Sequence, residues 1–178
     1  MLHIVAKHNI HLPFTVPDDL QNAVLNFALY TEVSSFRNNG TGRRFCNVNT
    51  LNFPLTSQVK DFASECYGSF GIPVIEEPMF GNFIGVNQSG GAVHPHTDPR
   101  SADGLWHVRI NFLLSKPEQG GMPIIDDIEY SITENDCWIN LASEWRHQSS
   151  EVVGPKPRVV LSLGSFVSEE NVKKILER

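Results

Sequence analysis

From residue 80 onward the chain is cut into short β-rich segments: FIGV, VRINFLLS, MPII, IEYSI, CWINL, EVVG and RVVLSLGSF. They are broken by the turn-forming QSGG, KPEQGG, TEND and GPKP. Strands this short, at such close spacing, predict a sandwich, jelly roll or barrel. The first 75 residues read differently. VPDDLQNAVLNFALY (16–30) sets Leu20, Val24, Leu25, Phe27 and Ala28 near helical spacing behind a Pro-Asp-Asp start. TSQVKDFASECYGSFG (56–71) repeats the pattern with Val59, Phe62, Ala63 and Cys66, with Thr56 as N-cap and Gly68 or Gly71 as stop. Residues 37–54, rich in Asn, Gly and Thr, read as an extended loop. SEENVKKILER reads as a final helix capped by Ser168, with acidic residues in its first turn. The expectation is one mainly β domain over 1–178. Residues 1–79 form a bracing segment of helix and loop, 80–166 the β core and 167–178 a C-terminal helix.

Charge and cysteine usage narrow the function. The 14 basic and 20 acidic side chains give a net charge of −6, which offers no general attraction to phosphate backbones or to a membrane surface. The one adjacent arginine pair, Arg43-Arg44, reads as a solvated loop. Cys46, Cys66 and Cys137 are too few and too scattered for a disulfide framework, and read as reduced thiols of a cytoplasmic protein. The start MLHIVAKHNIHLPF lacks the apolar core and cleavage site of a signal peptide, and no apolar run reaches membrane-spanning length.

The segment GAVHPHTDP (91–99) carries the chemistry. In a strand, residues two apart share a face, so His96 and Asp98 project together with Thr97 opposite. One imidazole and one carboxylate make two ligands for a divalent first-row metal. A third must come from elsewhere, and His147, at the head of a β-rich segment, is the best candidate. His94, also two residues from His96, and His107, at the start of VRINF, are the competitors. Two histidines and a carboxylate on one face of a metal form the ligand set of non-haem Fe(II) oxygenases. His3, His8 and His11 have no carboxylate nearby and read as surface residues. Trp106, Trp138 and Trp145 read as packing residues.

These residues resemble the 2-oxoglutarate and Fe(II)-dependent dioxygenases, in particular the prolyl-4-hydroxylase-like branch. The HxD motif stands as His96-Thr97-Asp98, preceded by Gly90-Gly91 and Pro95. RINFLLS (109–115) followed by Gly120-Gly121 is similar to the family's strand and GG step. His147 matches the distal histidine, and Val152, Gly154 and Arg158 follow it in the family's order. The resemblance covers residues 80–166. A bare HxD is a weak signal, whereas the ordered series HxD, GG, H, G, R on β-rich segments is far more specific. The chain departs from the branch at Asn87, where a tyrosine is common, and at Glu151-Val152, where Pro-Val is common. Lys156 competes with Arg158 as the basic residue.

The resemblance implies a double-stranded β-helix, the cupin-like jelly roll, with Fe(II) on His96, Asp98 and His147. It implies that Arg158 holds the distal carboxylate of 2-oxoglutarate in a two-pronged, charge-assisted grip. Ser162 shares Arg158's strand face. Asn87, Asn111 and Asn140 reach the same pocket, and Arg109 alternates with Asn111 toward substrate. The loops 37–54 and 99–106 cover the pocket mouth. The implied activity is hydroxylation of an amino-acid side chain, free or in a peptide, with proline among the candidates and ascorbate as an accessory reductant. The partners are 2-oxoglutarate, dioxygen and a small-molecule or peptide substrate. Three alternatives stand beside it: a nucleic-acid demethylase, against which the acidic charge argues; a cupin-like domain that binds a metal or small acid without turnover; and a hydrolytic or isomerase cupin using Zn or Mn.

Overall fold

In the computed structural model the two longest strands, β6 (Trp106–Ser115) and β11 (Arg158–Val167), are buried along almost their whole length and pair with each other from Val159↔Ser115 to Val167↔Trp106. The structure describes residues 10–31, 36–38, 42–51 and 54–177; His3 and His8 lie outside them. Continuous burial explains why VRINFLLS and RVVLSLG show no clean polar alternation: both faces of these strands are covered.

Around this pair runs a seven-stranded antiparallel sheet. To one side of β6 lie β9 (Cys137–Asn140) and the two-residue β1 (His11–Leu12). To the other side of β11 lie β4 (Phe83–Asn87), β3 (Arg43–Asn47) and β2 (Arg37–Asn38). A second, four-stranded antiparallel sheet has the order β5 (Val93–His96), β10 (His147–Ser149), β7 (Pro123–Ile125) and β8 (Ile128–Glu129). Residues of both sheets line one cavity between them, which is the jelly-roll arrangement expected from the strand spacing.

Two helices cover the other face of the large sheet. Helix α1 (Asp18–Tyr30) buries Leu20, Val24 and Ala28; α2 (Leu55–Gly68) buries Val59, Phe62, Ala63, Cys66 and Tyr67. The Phe62 ring packs 5.2 Å from that of Phe112 on β6. The Tyr67 hydroxyl is directed at the carbonyls of Val108 (2.9 Å) and Leu163 (3.0 Å), so α2 is tied to β6 and β11 together. Each large apolar side chain withdrawn from water here contributes about 1.5–3 kcal/mol, which is what holds the helices on the sheet. The last helix, α3 (Glu169–Leu176), starts at Ser168, whose hydroxyl accepts the Asn171 amide as expected.

Four expectations are corrected. Residues 37–54 are not an extended loop where they are described: 37–38 form β2, 43–47 β3 and Val48–Thr50 a 3₁₀ turn, while 39–41 and 52–53 lie outside the described residues. β3 is held by backbone pairing on both sides, to β2 and β4, so it forms despite its polar composition, and only the two-residue β2 stands at the sheet edge. The segment before residue 80 therefore adds strands as well as helices. Thr56 is not an N-cap but lies inside the first turn of α2, where its hydroxyl donates to Val48 and Leu51 carbonyls and binds the 3₁₀ turn to the helix. EVVG is not a strand and makes only an isolated bridge, Gln119↔Val153. Cys46, Cys66 and Cys137 are buried free thiols, with burial pushing Cys66 up to about 12. No helix among the described residues is long and apolar enough to cross a membrane.

Candidate metal centre

Strand β5 ends at His96, and its ladder with β10 puts His96 opposite His147. The rings lie 4.2 Å apart between centroids. The Nδ1 atom of His96 is 2.7 Å from the carbonyl of His94, and Nδ1 of His147 is 3.0 Å from that of Trp145. A carbonyl only accepts, so each Nδ1 carries the proton and each Nε2 turns its lone pair outward. Asp98 lies just past the strand end, its backbone amide anchored on the Ala142 carbonyl at 2.7 Å. One donor atom from each of His96, Asp98 and His147 lies within 4.8 Å of the others. Burial, reinforced by neighbouring His96, pushes the His147 imidazole down to about 4, so it is neutral near pH 7, as a metal ligand must be.

Asp98 is held from behind. Its Oδ2 accepts from His107 Nδ1 at 3.1 Å and faces Arg109 Nε at 3.4 Å, while Oδ1 lies toward His96 Nε2 at 3.5 Å. Burial opposes ionisation, but the His107 hydrogen bond and then the Arg109 charge outweigh it and hold the carboxyl well below its usual range. The Arg109 guanidinium is fixed in turn by Glu77 Oε2 (3.3 Å), the Gly81 carbonyl (3.1 Å) and Ser162 Oγ (3.4 Å). Glu77 also accepts the backbone amides of Met79, Phe80 and Gly81. Gly164 makes room for this cluster: a Cβ there would fall 2.9 Å from Arg109 Nη1 and 2.7 Å from the Gly81 carbonyl. Such outer contacts set the orientation of a ligating carboxylate. His107 is thus not a third ligand but the residue behind Asp98, and the exposed His94 contributes its carbonyl to His96 while its ring stands at the cavity wall.

The cavity in front of these residues has a volume of about 360 Å³. Arg158, Asn87, Asn111 and Asn140 all line it, each buried. Arg158 is only 7 % exposed, its Nε has no partner, and burial followed by the charge of Arg43 lowers it to about 10. Asn87 Nδ2 and Asn140 Oδ1 are also unpartnered. Buried polar groups left open in this way point to a polar ligand. Gly121 (φ 67°) admits Arg158 to its position, since a Cβ there would sit 2.9 Å from Arg158 Cδ. Ser162 is buried under Arg109 and does not line the cavity. Lys156 lies outside and pairs with Glu134 at 2.7 Å. None of residues 99–106 lines the cavity; Arg100 pairs with Glu144 instead. Trp138 forms part of the wall, with the Arg158 guanidinium 6.0 Å from its ring.

Two residues escaped the sequence reading. Arg43, read as part of a solvated loop, stands on β3 and lines the cavity. Glu77 is 4 % exposed and completes the Asp98–Arg109 ion pair. The available signal was Arg109 itself: a charge inside the most apolar strand demands a buried carboxylate partner.

No family model matches the sequence, and no curated protein is significantly similar to it. Solved structures are similar at the level of the fold. A prolyl-4-hydroxylase from Pseudomonas putida aligns over 87% of this chain and 89% of its own, with 14% identity and a TM-score of 0.59. A prolyl hydroxylase from Trichoplax adhaerens, solved with a hypoxia inducible factor oxygen degradation domain peptide fragment, covers 89% and 83% at 15% identity and 0.60. The non-heme alpha ketoglutarate dependent epimerase SnoN from nogalamycin biosynthesis covers 88% and 77% at 12% identity and 0.65. The chain therefore has the fold of the 2-oxoglutarate and Fe(II) oxygenases, prolyl hydroxylases among them.

Proposed function

We propose that the protein is a 2-oxoglutarate- and Fe(II)-dependent dioxygenase that hydroxylates an amino-acid side chain, free or within a peptide, with proline among the candidates. One observation carries this reading: two histidines with outward Nε2 atoms and one ionised carboxylate converge at the wall of a cavity that also contains a buried, unpaired guanidinium. The donor set suits Fe(II), since two neutral imidazoles and a carboxylate on one side of an ion leave the other side free.

His96, Asp98 and His147 would hold the metal, and Arg158 with Asn87 would hold the distal carboxylate of 2-oxoglutarate. When bound, iron and 2-oxoglutarate supply the oxidative chemistry, in which dioxygen is consumed and the keto acid becomes succinate and carbon dioxide. The chain contributes position. The backbone carbonyls of His94 and Trp145 fix the imidazole tautomers. His107 and Arg109 saturate Asp98 Oδ2 and present Oδ1. The apolar wall, including Phe83, Ile125 and Val160, shapes the space beside the reacting groups. Asp98 matters here as a carboxylate, since a small residue in its place would leave a metal position free for halide.

The test is release of succinate from 2-oxoglutarate by the Fe(II)-loaded protein with ascorbate, in the presence of free amino acids and proline-containing peptides. Stimulated succinate release supports the reading. A protein that binds 2-oxoglutarate without any turnover is a binding domain.

A further inference from the structure

The cavity carries more positive charge than one 2-oxoglutarate can neutralise. Arg109 is balanced by Glu77 and Asp98. Arg158 and Arg43 have no carboxylate partner among the described residues, although both line the cavity. With one carboxylate of 2-oxoglutarate at the metal, a single distal carboxylate remains for two guanidinium groups. Arg158 is buried and Arg43 half-buried at the cavity wall, so once 2-oxoglutarate sits on Arg158 the Arg43 guanidinium is the cation left to attract a second anion.

The two arginines start from one row of the sheet and diverge. Arg43 on β3 and Arg158 on β11 both pair with Asn87 on β4, so all three share a face. Arg158 passes Gly121 and turns toward Trp138 on β9, two strands to one side of β11. Arg43 stays over its own strand, 5.1 Å above the ring of Phe45. Phe45 stands in the next row, with Gly85 and Val160, one step closer to Arg109 and the metal ligands. Gly85 has no side chain, and the Phe83 ring lies over it, 3.4 Å from where a Cβ would stand. Phe80 and Phe83 pack edge-on against Phe45 at 5.8 Å and 6.4 Å and complete an aromatic wall. Burial followed by the charge of Arg109 lowers Arg43, and Asp98 partly offsets this, which agrees with a place between Arg158 and the metal centre.

We propose that Arg43 is a second oxyanion site and binds the carboxylate of the primary substrate, a small free acid whose body packs on Phe45, Phe80 and Phe83. This rests on the dioxygenase reading, in which 2-oxoglutarate occupies Arg158, and it selects the free acid over an internal residue of a peptide. An internal residue has only amide carbonyls to offer a guanidinium, a weaker partner than a carboxylate.

The test uses the Mn(II)-loaded protein saturated with 2-oxoglutarate, titrated by calorimetry with phenylacetate and with its neutral isostere phenylacetamide. Phenylacetate is expected to bind one per chain, on top of 2-oxoglutarate, and about tenfold or more tighter than the amide, the size of one charge-assisted hydrogen bond. Arg43→Gln should abolish that preference while 2-oxoglutarate affinity stays within about threefold of wild type. Arg43→Lys, which keeps the charge, should retain part of the preference. Equal binding of acid and amide, or binding of neither, overturns the proposal. So does an Arg43→Gln variant that loses 2-oxoglutarate as severely as Arg158→Gln, which would assign Arg43 to the co-substrate. A wild-type protein that binds no 2-oxoglutarate defeats the dioxygenase reading itself, a different result from binding it without discriminating acid from amide.

Discussion

His96 and His147 face each other across the β5–β10 ladder, their rings 4.2 Å apart, so the register of one short strand pair brings together two residues far apart in sequence. Because side chains alternate across a strand, a one-residue slip would turn one ring away. A serine hydroxyl in the same ladder supports this register: Ser149 Oγ accepts the Val93 amide at 2.9 Å, while on the other side of β10 Ser150 Oγ accepts the Met122 amide beside β7 at 3.0 Å.

The support behind Asp98 predicts a graded loss. His107→Ala leaves Oδ2 with Arg109 alone and should weaken metal binding about 10–100-fold, the usual effect of removing an outer partner of a ligand. Metal titration followed by calorimetry checks this. An unchanged affinity would mean that His107 only packs.

Arg109→Met should be costlier, because it leaves Glu77 buried without its cation. The expected destabilisation is about 3–5 kcal/mol. Combining it with Glu77→Gln should cost less than the sum of the two single changes, since the pair is one unit. Urea unfolding of the two single variants and the double variant measures the coupling.

Arg158 separates stability from binding. In the ligand-free protein its guanidinium is buried without a counter-charge. Arg158→Met should therefore raise Tm by a few degrees, at about 2–4 °C per kcal/mol for a chain of this size. It should also raise the 2-oxoglutarate concentration needed for half-saturation by about tenfold or more, the loss expected for a two-pronged charged contact. Lys156→Ala, which removes only a surface pair with Glu134, should change neither quantity. Thermal melts with and without 2-oxoglutarate test both statements.

Gly121→Ala should act through Arg158. The added methyl meets Arg158 Cδ and Pro117 Cγ at 2.9 Å each, at a backbone φ of 67° that disfavours any side chain. We expect a destabilisation of about 1–3 kcal/mol and weaker 2-oxoglutarate binding. Unfolding and ligand titration of the same variant report the two effects separately.

The β core was legible in the sequence because its strands are apolar and sharply punctuated, and the HxD pair because both residues lie within three positions. What remained hidden was contact made only in three dimensions. β3 carries Arg43 and Phe45 to the cavity wall, but its polar, glycine-flanked sequence has the composition of a loop. Glu77 sits before an ordinary glycine turn, and nothing local distinguishes it from a surface acid. Ser162 had the right alternation for the co-substrate pocket, yet Arg109 lies over it, a competition that periodicity along one strand does not reveal. The same blindness ranked His107 as a rival ligand, because spacing cannot tell a residue that binds the metal from one that braces its ligand.

The most direct test of the central claim is the Fe(II) content per chain after anaerobic titration and removal of free metal, measured for the wild type and for His147→Ala. The three-ligand centre predicts one ion per wild-type chain and essentially none in the variant. A variant that still retains one equivalent would show that His147, and with it the metal centre described above, is wrongly assigned.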